Sequence, residues 1–495
     1  MSVSLKLLSK IKIVQEIYQT CVALKVQCFF VGGIIRDLLL GRPPGRDIDM
    51  VCLHSAETLA KELAVRLGGH AFLLNDGFGT WRVVVKRVKK NWQLDLSPLH
   101  GSDIGEDLRQ RDFTVNSMAL PWENFLNPTV RSLIDPTGGR EDIHQKKLRA
   151  NSEEGLIRDP LRMLRAFRFS YTLGLSIEKK TLEMIERNKE RIAHCAMERI
   201  RQEFFTGLNL PQGPSFLQDL QTITLLREIV PEIEGWERIP IGFQSSLLDH
   251  GLRTAAAADF ILKNSLPLLG RSLKAHFSEE LEEGVSRRAL FLFLAFLHDS
   301  GKSKFPARST DEGTQRFWDH DQEGEKINFQ IGRRMKLSRK SLHILSLLTR
   351  HHMRLRSLAQ AEEWTDRAKY RFFRDFGKEG IEALCLAVAN EMAKGNGNLP
   401  MGKIEKLPEG VVKICRLVRE FLRDEEVFRK KPLGPLLSGE EIMKHLHVPQ
   451  GEGIGILLRR LHEAELAGKV QTKEAALAYL KSEYAKMIDK FRYSG

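Results

Sequence analysis

The spacing of hydrophobic positions divides the chain near residue 150. Between residues 26 and 120, apolar strand-like runs (VQCFFVGG, DIDMVCL, WRVVVKRV and WQLDLS) alternate with the helix-like segments AETLAKELAVRLGG and GEDLRQRDFTVNSMAL. An amphipathic helix is predicted before them, in MSVSLKLLSKIKIVQEIYQT. This mixture predicts a small α/β or α+β domain with a mixed sheet.

From about residue 156 onward the pattern is almost entirely helical, with breaks at 231–244, 394–410 and 429–437. We therefore predict a multidomain protein in which an α/β head precedes an elongated all-α body. The predicted divisions are a head at 1–149, a helical neck at 150–235, a helical domain at 236–400 and a helical tail at 401–495.

Composition adds a class of partner and a compartment. Lys and Arg number 77 against 64 Asp and Glu, giving a net charge of +13, which favours a polyanionic partner. The 6 cysteines form no C-x-x-C pair, so neither a zinc ribbon nor a disulfide framework is indicated. No uncharged apolar stretch approaches the length of a membrane span. We expect a cytoplasmic protein without a membrane segment, and the oligomeric state is open.

The first candidate chemistry lies in FFVGGIIRDLLLGRPPGRDIDMVCL, residues 29–53. Asp47 and Asp49 are two residues apart on a predicted strand, so their carboxylates share one face. Such hard oxygen ligands suit Mg²⁺, and Asp95 on another strand-like run could complete a two-metal site for phosphoryl transfer. Gly32 and Gly33 would let the backbone approach a phosphate chain closely.

Four motifs in order give the chain a resemblance to a known family. GGIIRD followed by DID, then EDLRQRDFTVNSMAL, IDPTGG and RDPLRMLRAFRFSYTLGL resemble the motifs of class II tRNA nucleotidyltransferases and bacterial poly(A) polymerases. The remaining chain resembles family members that carry an HD-type domain, so the likeness covers nearly all 495 residues. The C-terminal segment 436–481 resembles the tail of such proteins, either contacting RNA or forming a small helical cap.

The resemblance implies a role for each matching position. Asp47 and Asp49 would bind two Mg²⁺ ions, and Asp95 would act as the third catalytic carboxylate. The implied partners are CTP, ATP and the acceptor end of tRNA. The implied nucleotide-binding residues are Gly32, Gly33 and Arg36 at the triphosphate, Arg111, Asp112 and Asn116 at the ribose and phosphates, Asp159 and Arg162 at the base edge, and also Arg165 and Arg168.

The base-reading segment also has a physical expectation of its own. On one continuous helix, Asp159 and Arg162 would be neighbours, and Arg158, Arg162 and Arg165 would share a basic face. Two positions depart from the family motifs: Arg158 stands where Glu is usual, and Gln110 where the first Arg of its motif is usual. The segment after Asp95 is short, which resembles enzymes that add only the two cytidines.

A second candidate metal site follows from histidine order. The resemblance to HD phosphohydrolases implies ligands at His250, His298, Asp299, His320 and His352. The family's last ligand is an Asp, and Asn390 stands in its place, which weakens the expectation of a bound metal and of hydrolysis. Glu391 is the nearest substitute.

The function that these patterns favour is Mg²⁺-dependent addition of CMP, AMP or both to the tRNA 3′ end without a nucleic-acid template. Poly(A) polymerase is the alternative within the family, because the head motifs are shared. From other classes, the alternatives are an HD metal phosphohydrolase acting on RNA ends and a non-catalytic RNA-binding protein. The three head carboxylates argue against the last.

Overall fold

The structure is a computed structural model of the 495-residue chain. It describes residues 5, 7–75, 77, 79–86, 91–241, 245–305, 308–309, 315–317, 319–354, 365–394, 408–430, 436–449, 451–466 and 469–492. The predicted breaks at 394–410 and 429–437 lie largely outside these residues.

One six-stranded mixed sheet forms the centre of the head, which confirms the predicted fold class. Its strands are Cys28–Val31 (β1), Asp47–Cys52 (β2), His70–Asn75 (β3), Thr80–Val85 (β4), Trp92–Pro98 (β5) and Ala119–Pro121 (β6). Their order is β3-β4-β5-β2-β1-β6; β2 and β5 are parallel, and the other neighbours are antiparallel. The alternation along β2 buries Ile48 and Met50 and leaves Asp47 and Asp49 open on the other face.

The helices of the head and neck surround this sheet or follow it. They span Lys12–Leu24 (α1), Gly33–Leu39 (α2), Ala56–Leu67 (α3), Ile104–Arg109 (α4), Gly139–His144 (α5), Glu153–Arg158 (α6), Leu161–Leu173 (α7), Lys179–Asn188 (α8), Met197–Leu208 (α9), Gly213–Thr222 (α10) and Leu225–Ile229 (α11). Helix α1 confirms the amphipathic helix predicted at the N-terminus.

The predicted helix in GEDLRQRDFTVNSMAL is largely wrong. Helix α4 ends at Arg109, and the chain then makes a short 3₁₀ turn at Thr114–Asn116 before entering strand β6. Side-chain hydrogen bonds to the local backbone compete with the helix here: Asp112 accepts from the Phe113 amide at 2.9 Å, and Ser117 donates to the Phe113 carbonyl at 2.8 Å.

The described residues after helix α11 are mainly helical, and short two-stranded ladders occur both there and between the head and the neck. The helices of this part span Leu247–Lys263 (α12), Ser265–Leu269 (α13), Lys274–Phe277 (α14), Arg287–Leu297 (α15), His320–Arg334 (α16), Arg339–His351 (α17), Asp366–Phe376 (α18), Gly380–Ala393 (α19), Glu409–Lys430 (α20), Gly439–Leu446 (α21), Glu452–Leu466 (α22) and Lys473–Arg492 (α23). The ladders pair Lys147–Leu148 with Ser176–Ile177, Glu280–Glu282 with Val285–Ser286, and Arg308–Ser309 with Gln315–Arg316.

Contacts divide the chain into two compact units, Met1–Pro231 and Glu232–Gly495. The finer division into four domains stays a prediction. Among the described residues, no helix combines the length and the apolar character needed to cross a bilayer.

The glycine pair of IDPTGG is fixed by packing. Asp135 accepts hydrogen bonds from the backbone amides of Gly139 and Arg140 at 2.8 and 3.0 Å, which caps helix α5. A Cβ on Gly139 would lie 2.1 Å from the carbonyl oxygen of Thr114. The motif therefore holds helix α5 directly against the Thr114–Asn116 turn.

We expect Gly139→Ala to lower the free energy of unfolding by about 3 kcal/mol or more, because the Thr114 backbone cannot move aside without breaking the turn. Thermal or urea unfolding measures the change. Gly453→Ala is the control, since this glycine also lies in the first turn of a helix and a Cβ there meets no atom within 4 Å. The control should change stability by less than about 1 kcal/mol, in the stabilising direction. Equal losses in both variants would contradict the packing explanation.

Candidate active site

A cleft of about 470 Å³ in the first unit gathers most of the predicted residues. Its walls include eleven of them: Gly32, Gly33, Arg36, Asp47, Asp49, Arg111, Asp112, Asn116, Asp159, Arg162 and Arg165. Asp95 and Arg168 are not among the lining residues. The cleft thus places carboxylates, guanidinium groups and a glycine turn around one space.

Two carboxylates of strand β2 line this cleft, and a third lies beside them on the adjacent strand β5. Asp49 pairs in register with Asp95 across the parallel β2–β5 ladder, and Asp47 shares the face of Asp49. Although the Asp49 side chain opens on the cleft, loss of surrounding water raises its pKa; Arg111 opposes this rise, and the charges of Asp95 and Asp47 add to it. A set of oxygen donors that repel one another fits a hard divalent cation.

Arg82 is a functional candidate that the sequence did not reveal. Its guanidinium donates to both oxygens of Asp95, Nε to Oδ1 at 2.7 Å and Nη2 to Oδ2 at 2.7 Å. The two residues are register partners on β4 and β5. Because Arg82 binds both carboxylate oxygens, it balances the negative charge of Asp95 and fixes the orientation of this side chain.

The backbone turn at Gly32 lies close to the side chains of Asp49 and Arg111. Gly32 has φ of +70° and ψ of −128°, a conformation in which a side chain would be strained. A Cβ on Gly32 would lie 3.3 Å from Asp49 Oδ2 and 3.4 Å from Arg111 Nη1. Arg36, one turn along α2, donates to Asn116 Oδ1 at 2.7 Å and to Asp37 Oδ1 at 2.8 Å. The turn and the Arg36 guanidinium are therefore held in fixed positions beside the carboxylates.

Asp112 anchors the opposite wall. It accepts hydrogen bonds from Arg165 Nη2 at 2.7 Å and Asn116 Nδ2 at 2.9 Å. Burial alone would raise the pKa of Asp112, but Arg165 and the Asn116 hydrogen bond outweigh it and hold the pKa below its usual value. Asp112 therefore stays ionised and acts through Arg165 and Asn116, which it positions.

Phe169 is a second residue that the sequence left unnoticed. Its ring lies under three guanidinium carbons, those of Arg36 at 5.4 Å, Arg165 at 5.1 Å and Arg168 at 4.4 Å from the ring centroid. Arg168 also forms an ion pair with Glu203. Arg168 therefore contacts Phe169 and Glu203 and does not line the cleft, although the sequence predicted it to be a nucleotide-binding residue.

The base-reading pair does not lie on one helix, and this part of the prediction is wrong. Helix α6 ends at Arg158 and α7 begins at Leu161, so Asp159 lies between them with φ of −130° and ψ of 87°. Pro160 disfavours the α conformation for the residue before it. Arg158 consequently belongs to a different helix from Arg162 and Arg165, and the three do not form one basic face.

Asp159 and Arg162 nevertheless remain neighbours in the cleft. Arg162 Nε lies 4.0 Å from Asp159 Oδ2, and Arg162 Nη1 donates to the carbonyls of Gln110 and Arg111 at 3.0 and 3.1 Å. Asp159 Oδ2 also accepts from Arg199 at 3.2 Å, whereas its buried Oδ1 finds no hydrogen-bond partner within the described part of the chain. Asp159 can therefore still accept a hydrogen bond from a ligand.

The positions that depart from the motifs lie elsewhere. Gln110 and Arg158 line a separate cavity of about 510 Å³. The short segment Leu99–Asp103 after strand β5 is closed by hydrogen bonds: Ser102 donates from its amide and its hydroxyl to Glu106 Oε2 at 2.7 and 2.8 Å, and Asp103 caps α4. This segment is thus a compact turn.

In the second unit, four histidines surround Asp299. His250 and His298 place Nε2 3.4 Å from Asp299 Oδ2, and His320 and His352 place Nε2 at 3.5 and 3.3 Å from Oδ1. The first turns of helices α12 and α16 and the C-terminal ends of α15 and α17 supply them. The structure brings together all five predicted residues, as two groups that share Asp299.

The hydrogen bonds behind the rings determine which ring nitrogen of each histidine carries the proton. Nδ1 of His298, His320 and His352 each faces a backbone carbonyl at 2.7 to 2.9 Å and so carries the proton. Their Nε2 lone pairs then point inward, and those of His320 and His352 lie 3.3 Å apart. Burial lowers the pKa of His298 and of His352, which favours neutral rings. Converging acceptors of this kind fit a divalent cation.

Two further residues modify the cluster. Lys302 donates to Asp299 Oδ2 at 2.6 Å. Burial would raise the pKa of Asp299, but Lys302 and the surrounding imidazoles hold it well below its usual value. Asn390, the departure from the HD pattern, has a buried Oδ1 without a partner among the described residues, and the proposed substitute Glu391 is engaged by Lys394 at 2.5 Å.

Three family models match the chain. They describe the poly A polymerase head domain at residues 28–149, a probable RNA- and SrmB-binding site of polymerase A at 174–236, and the Cas3 HD domain at 242–396. Their order follows the head, neck and HD-like regions of the fold.

Full-length relatives are similar across nearly the whole chain. An A-adding tRNA nucleotidyltransferase of Deinococcus radiodurans is 31% identical over 464 residues, covering 91% of this chain and 94% of the relative. A CC-adding tRNA nucleotidyltransferase of Geobacter sulfurreducens is 29% identical, with 91% of each chain covered. A solved CCA-adding enzyme in complex with CTP has the same fold, with a TM-score of 0.66, 20% identity, and 98% and 99% of the two chains covered.

Proposed function

Because this chain belongs to the class II tRNA nucleotidyltransferase family and carries an HD-type domain, we propose that it extends the 3′ end of tRNA by CMP, AMP or both. The proposed donors are CTP and ATP, and the proposed cation is Mg²⁺. The observation that carries this proposal is the single cleft lined by Asp47 and Asp49 together with Asp159 and Arg162.

The chain's own residues explain how such a reaction would be accelerated. Arg36, Arg111 and Arg165 supply positive charge to the triphosphate, and the Gly32 turn lets the backbone approach it. Asp47 and Asp49 would hold Mg²⁺, which, when bound, supplies charge neutralisation for the phosphates. The tRNA 3′-hydroxyl attacks the α-phosphorus of the nucleotide, and pyrophosphate leaves. The Arg82–Asp95 pair borders the carboxylates and fixes the orientation of the third one.

An assay with defined acceptors tests the proposal. Purified protein is incubated with tRNA lacking its CCA end, or with tRNA ending in CC, and with CTP alone, ATP alone, or both. Addition of one to three nucleotides is expected. Two CMP residues without AMP is the outcome that the compact turn Leu99–Asp103 favours. Long AMP tails would instead establish the poly(A) polymerase alternative, and no incorporation would overturn the proposal.

Asp159 is expected to contribute to base selection. Replacing it with Ala removes from the cleft lining a carboxylate whose buried Oδ1 has no hydrogen-bond partner among the described residues. Loss of one base-edge hydrogen bond should reduce the kcat/KM preference for CTP over UTP by about 10- to 100-fold. Asp219→Ala, which removes an exposed neck carboxylate bonded to Tyr171, serves as the control. A preference that is unchanged in Asp159→Ala would exclude this residue from base reading.

The second unit has a second candidate function. The five-residue cluster around Asp299 supports phosphate-ester hydrolysis at RNA ends, because converging imidazoles and a carboxylate would hold a divalent cation that supplies an activated water. Opening of a 2′,3′-cyclic phosphate to a phosphomonoester, or release of inorganic phosphate from 3′-phosphorylated RNA, tests it. The activity should survive Asp47→Ala and be lost in His352→Ala.

A further inference from the structure

Asn151 lies immediately before helix α6 and is not among the residues that line the candidate active-site cleft. It precedes Ser152, which caps α6 by accepting a hydrogen bond from the Gly155 amide at 3.0 Å. The backbone amide of Asn151 donates to the carbonyl of Asp112 at 3.2 Å. Asn151 thus connects the helix that leads to Asp159 with the segment that carries Asp112.

The amide side chain of Asn151 lies among three oxygens. Its Nδ2 is 3.1 Å from the carbonyl oxygen of Leu108, 3.0 Å from that of Arg111 and 2.6 Å from Ser117 Oγ. Two of these acceptors are carbonyl oxygens, which need a donor, so the amide nitrogen must face them. Asn151 therefore fixes the backbone between Leu108 and Arg111 at both ends.

The Arg111 carbonyl also anchors Arg162, the arginine proposed to read the base edge. Arg162 Nη1 donates to this carbonyl at 3.1 Å and to the neighbouring carbonyl of Gln110 at 3.0 Å. Within the described part of the chain, Nε and Nη2 of Arg162 donate no hydrogen bond. A guanidinium group is planar, so holding one end of it sets the directions of the remaining donors. The position of the Arg111 carbonyl therefore determines how Arg162 presents its remaining N–H groups to the cleft.

Gly155 of α6 lies against the same guanidinium group. A Cβ on this glycine would be 3.0 Å from Arg162 Nη1, which is closer than an ordinary van der Waals contact. The absence of a side chain at this position therefore leaves room for Nη1 to reach the two carbonyls. Only 18% of the Arg162 side chain is exposed, so few other orientations are open to it.

We propose that Asn151 is a positioning residue for base selection: by fixing the Arg111 carbonyl, it fixes the orientation in which Arg162 meets the edge of the incoming base. A side chain that reads a ligand directly must be held within about 0.5 Å of its productive position by its neighbours. This inference rests on the proposed function, since it assumes that the cleft selects a nucleotide. It deepens that function by assigning part of the selectivity to a side chain outside the cleft.

Asn151→Ala tests this role in the full-length protein, with tRNA lacking CCA or ending in CC as acceptor. The kcat/KM preference for CTP over UTP should fall about 3- to 10-fold, or that for ATP over GTP if only AMP is added, because one supporting hydrogen bond is lost. The KM for the preferred nucleotide should rise, while the KM for tRNA stays unchanged. A purely structural loss would instead lower kcat for all nucleotides equally and leave the preference as it was.

Asn188→Ala is the matched control. Asn188 is buried in the same unit, and its Nδ2 likewise donates to a backbone carbonyl, that of Met184 at 2.9 Å, and to Glu153 Oε1 at 2.8 Å. Both variants should lower the Tm, but only Asn151→Ala should change the nucleotide preference. An unchanged preference in Asn151→Ala, or an equal change in Asn188→Ala, would overturn the inference.

Gly155→Ala provides a second test, which also serves if Asn151→Ala does not fold. Alanine favours a helical backbone, and the added methyl group would displace the Arg162 guanidinium without removing a hydrogen bond of Asn151. The nucleotide preference should fall in this variant as well. A preference that stays unchanged while the Tm is retained would mean that the orientation of Arg162 does not set selectivity, and the inference would be wrong.

The inference and the proposed function fail in different ways. A wild-type protein that adds nucleotides, with an unchanged preference in both variants, retains the function and loses the role of Asn151. If no nucleotide is transferred, calorimetric titration of the wild type and Asn151→Ala with CTP and with UTP, without tRNA, measures the preference as a ratio of Kd values. A ratio that falls in the variant retains the role of Asn151 and refutes only the transfer, whereas an unchanged ratio refutes both.

Discussion

Asp49→Asn should lower kcat for nucleotide addition by about 10³-fold or more while leaving the fold intact or more stable. Loss of activity follows from removing a carboxylate of the candidate Mg²⁺ site. The stability effect follows from the raised pKa of Asp49, because the folded head disfavours the ionised form. Below the pKa of the unfolded chain, about 4, the Asp49 carboxyl is protonated in both states and does not lower the free energy of unfolding. As the pH rises through the higher pKa of the folded state, its ionisation lowers the free energy of unfolding.

Thermal unfolding at two pH values checks the sign. At pH 7 the Tm of Asp49→Asn should equal or exceed that of the wild type, and the difference should shrink as pH falls toward 4. Asp103→Asn is the control, since Asn also caps helices and the residue is exposed at the start of α4. A lowered Tm together with lost activity would mean that Asp49 supports the fold rather than the chemistry.

Asp299→Ala should abolish the divalent-metal binding that is proposed for the HD-like cluster. All four imidazoles lie within 3.5 Å of this carboxylate, so its loss removes the ligand that both groups share. Titration calorimetry with Mn²⁺ on an Asp47→Ala/Asp49→Ala background isolates the cluster from the head. The affinity should fall at least about a hundredfold. Mn²⁺ at a hundred times its Kd should stabilise the parent by about 2.7 kcal/mol and leave the variant unchanged.

The neighbouring histidines of RHHM provide a matched pair for this experiment. His352→Ala should lose the metal, because its Nε2 faces Asp299. His351→Ala should keep it, because His351 is exposed and packs against Phe376 instead. Metal binding that is retained in Asp299→Ala, or lost equally in both histidine variants, would contradict the assignment.

The sequence predicted local features better than pairings between distant strands. The two-residue period of DID places Asp47 and Asp49 on one face because strand geometry alone determines it. The approach of Asp95 to Asp49 depends on the parallel β2–β5 pairing, which the strand-like pattern of each segment does not determine by itself. Arg82 could not be predicted, since its partnership with Asp95 requires the register of β4 on β5.

The errors near Asp159 and in residues 105–120 have different causes. Pro160 is visible in the sequence, and its effect on the preceding residue was sufficient to predict the break between α6 and α7. The turn at Thr114–Asn116 has no proline to mark it, and the local hydrogen bonds of Asp112 and Ser117 are only part of its cause. It depends partly on Asn151, whose Nδ2 donates to the carbonyls of Leu108 and Arg111 at 3.1 and 3.0 Å from more than thirty residues away.

At each candidate metal centre, a positively charged side chain of the protein binds one of the carboxylates. Arg82 binds both oxygens of Asp95 in the head, and Lys302 binds Asp299 in the HD-like cluster. A metal centre in which no positively charged side chain binds the ligands commonly requires its metal before the chain can fold. Here the polypeptide supplies a counter-ion at both places, so newly made protein can reach its native state before it acquires any metal. A preparation treated with chelators should therefore remain folded, and added Mg²⁺ or Mn²⁺ should bind to it without an unfolded intermediate.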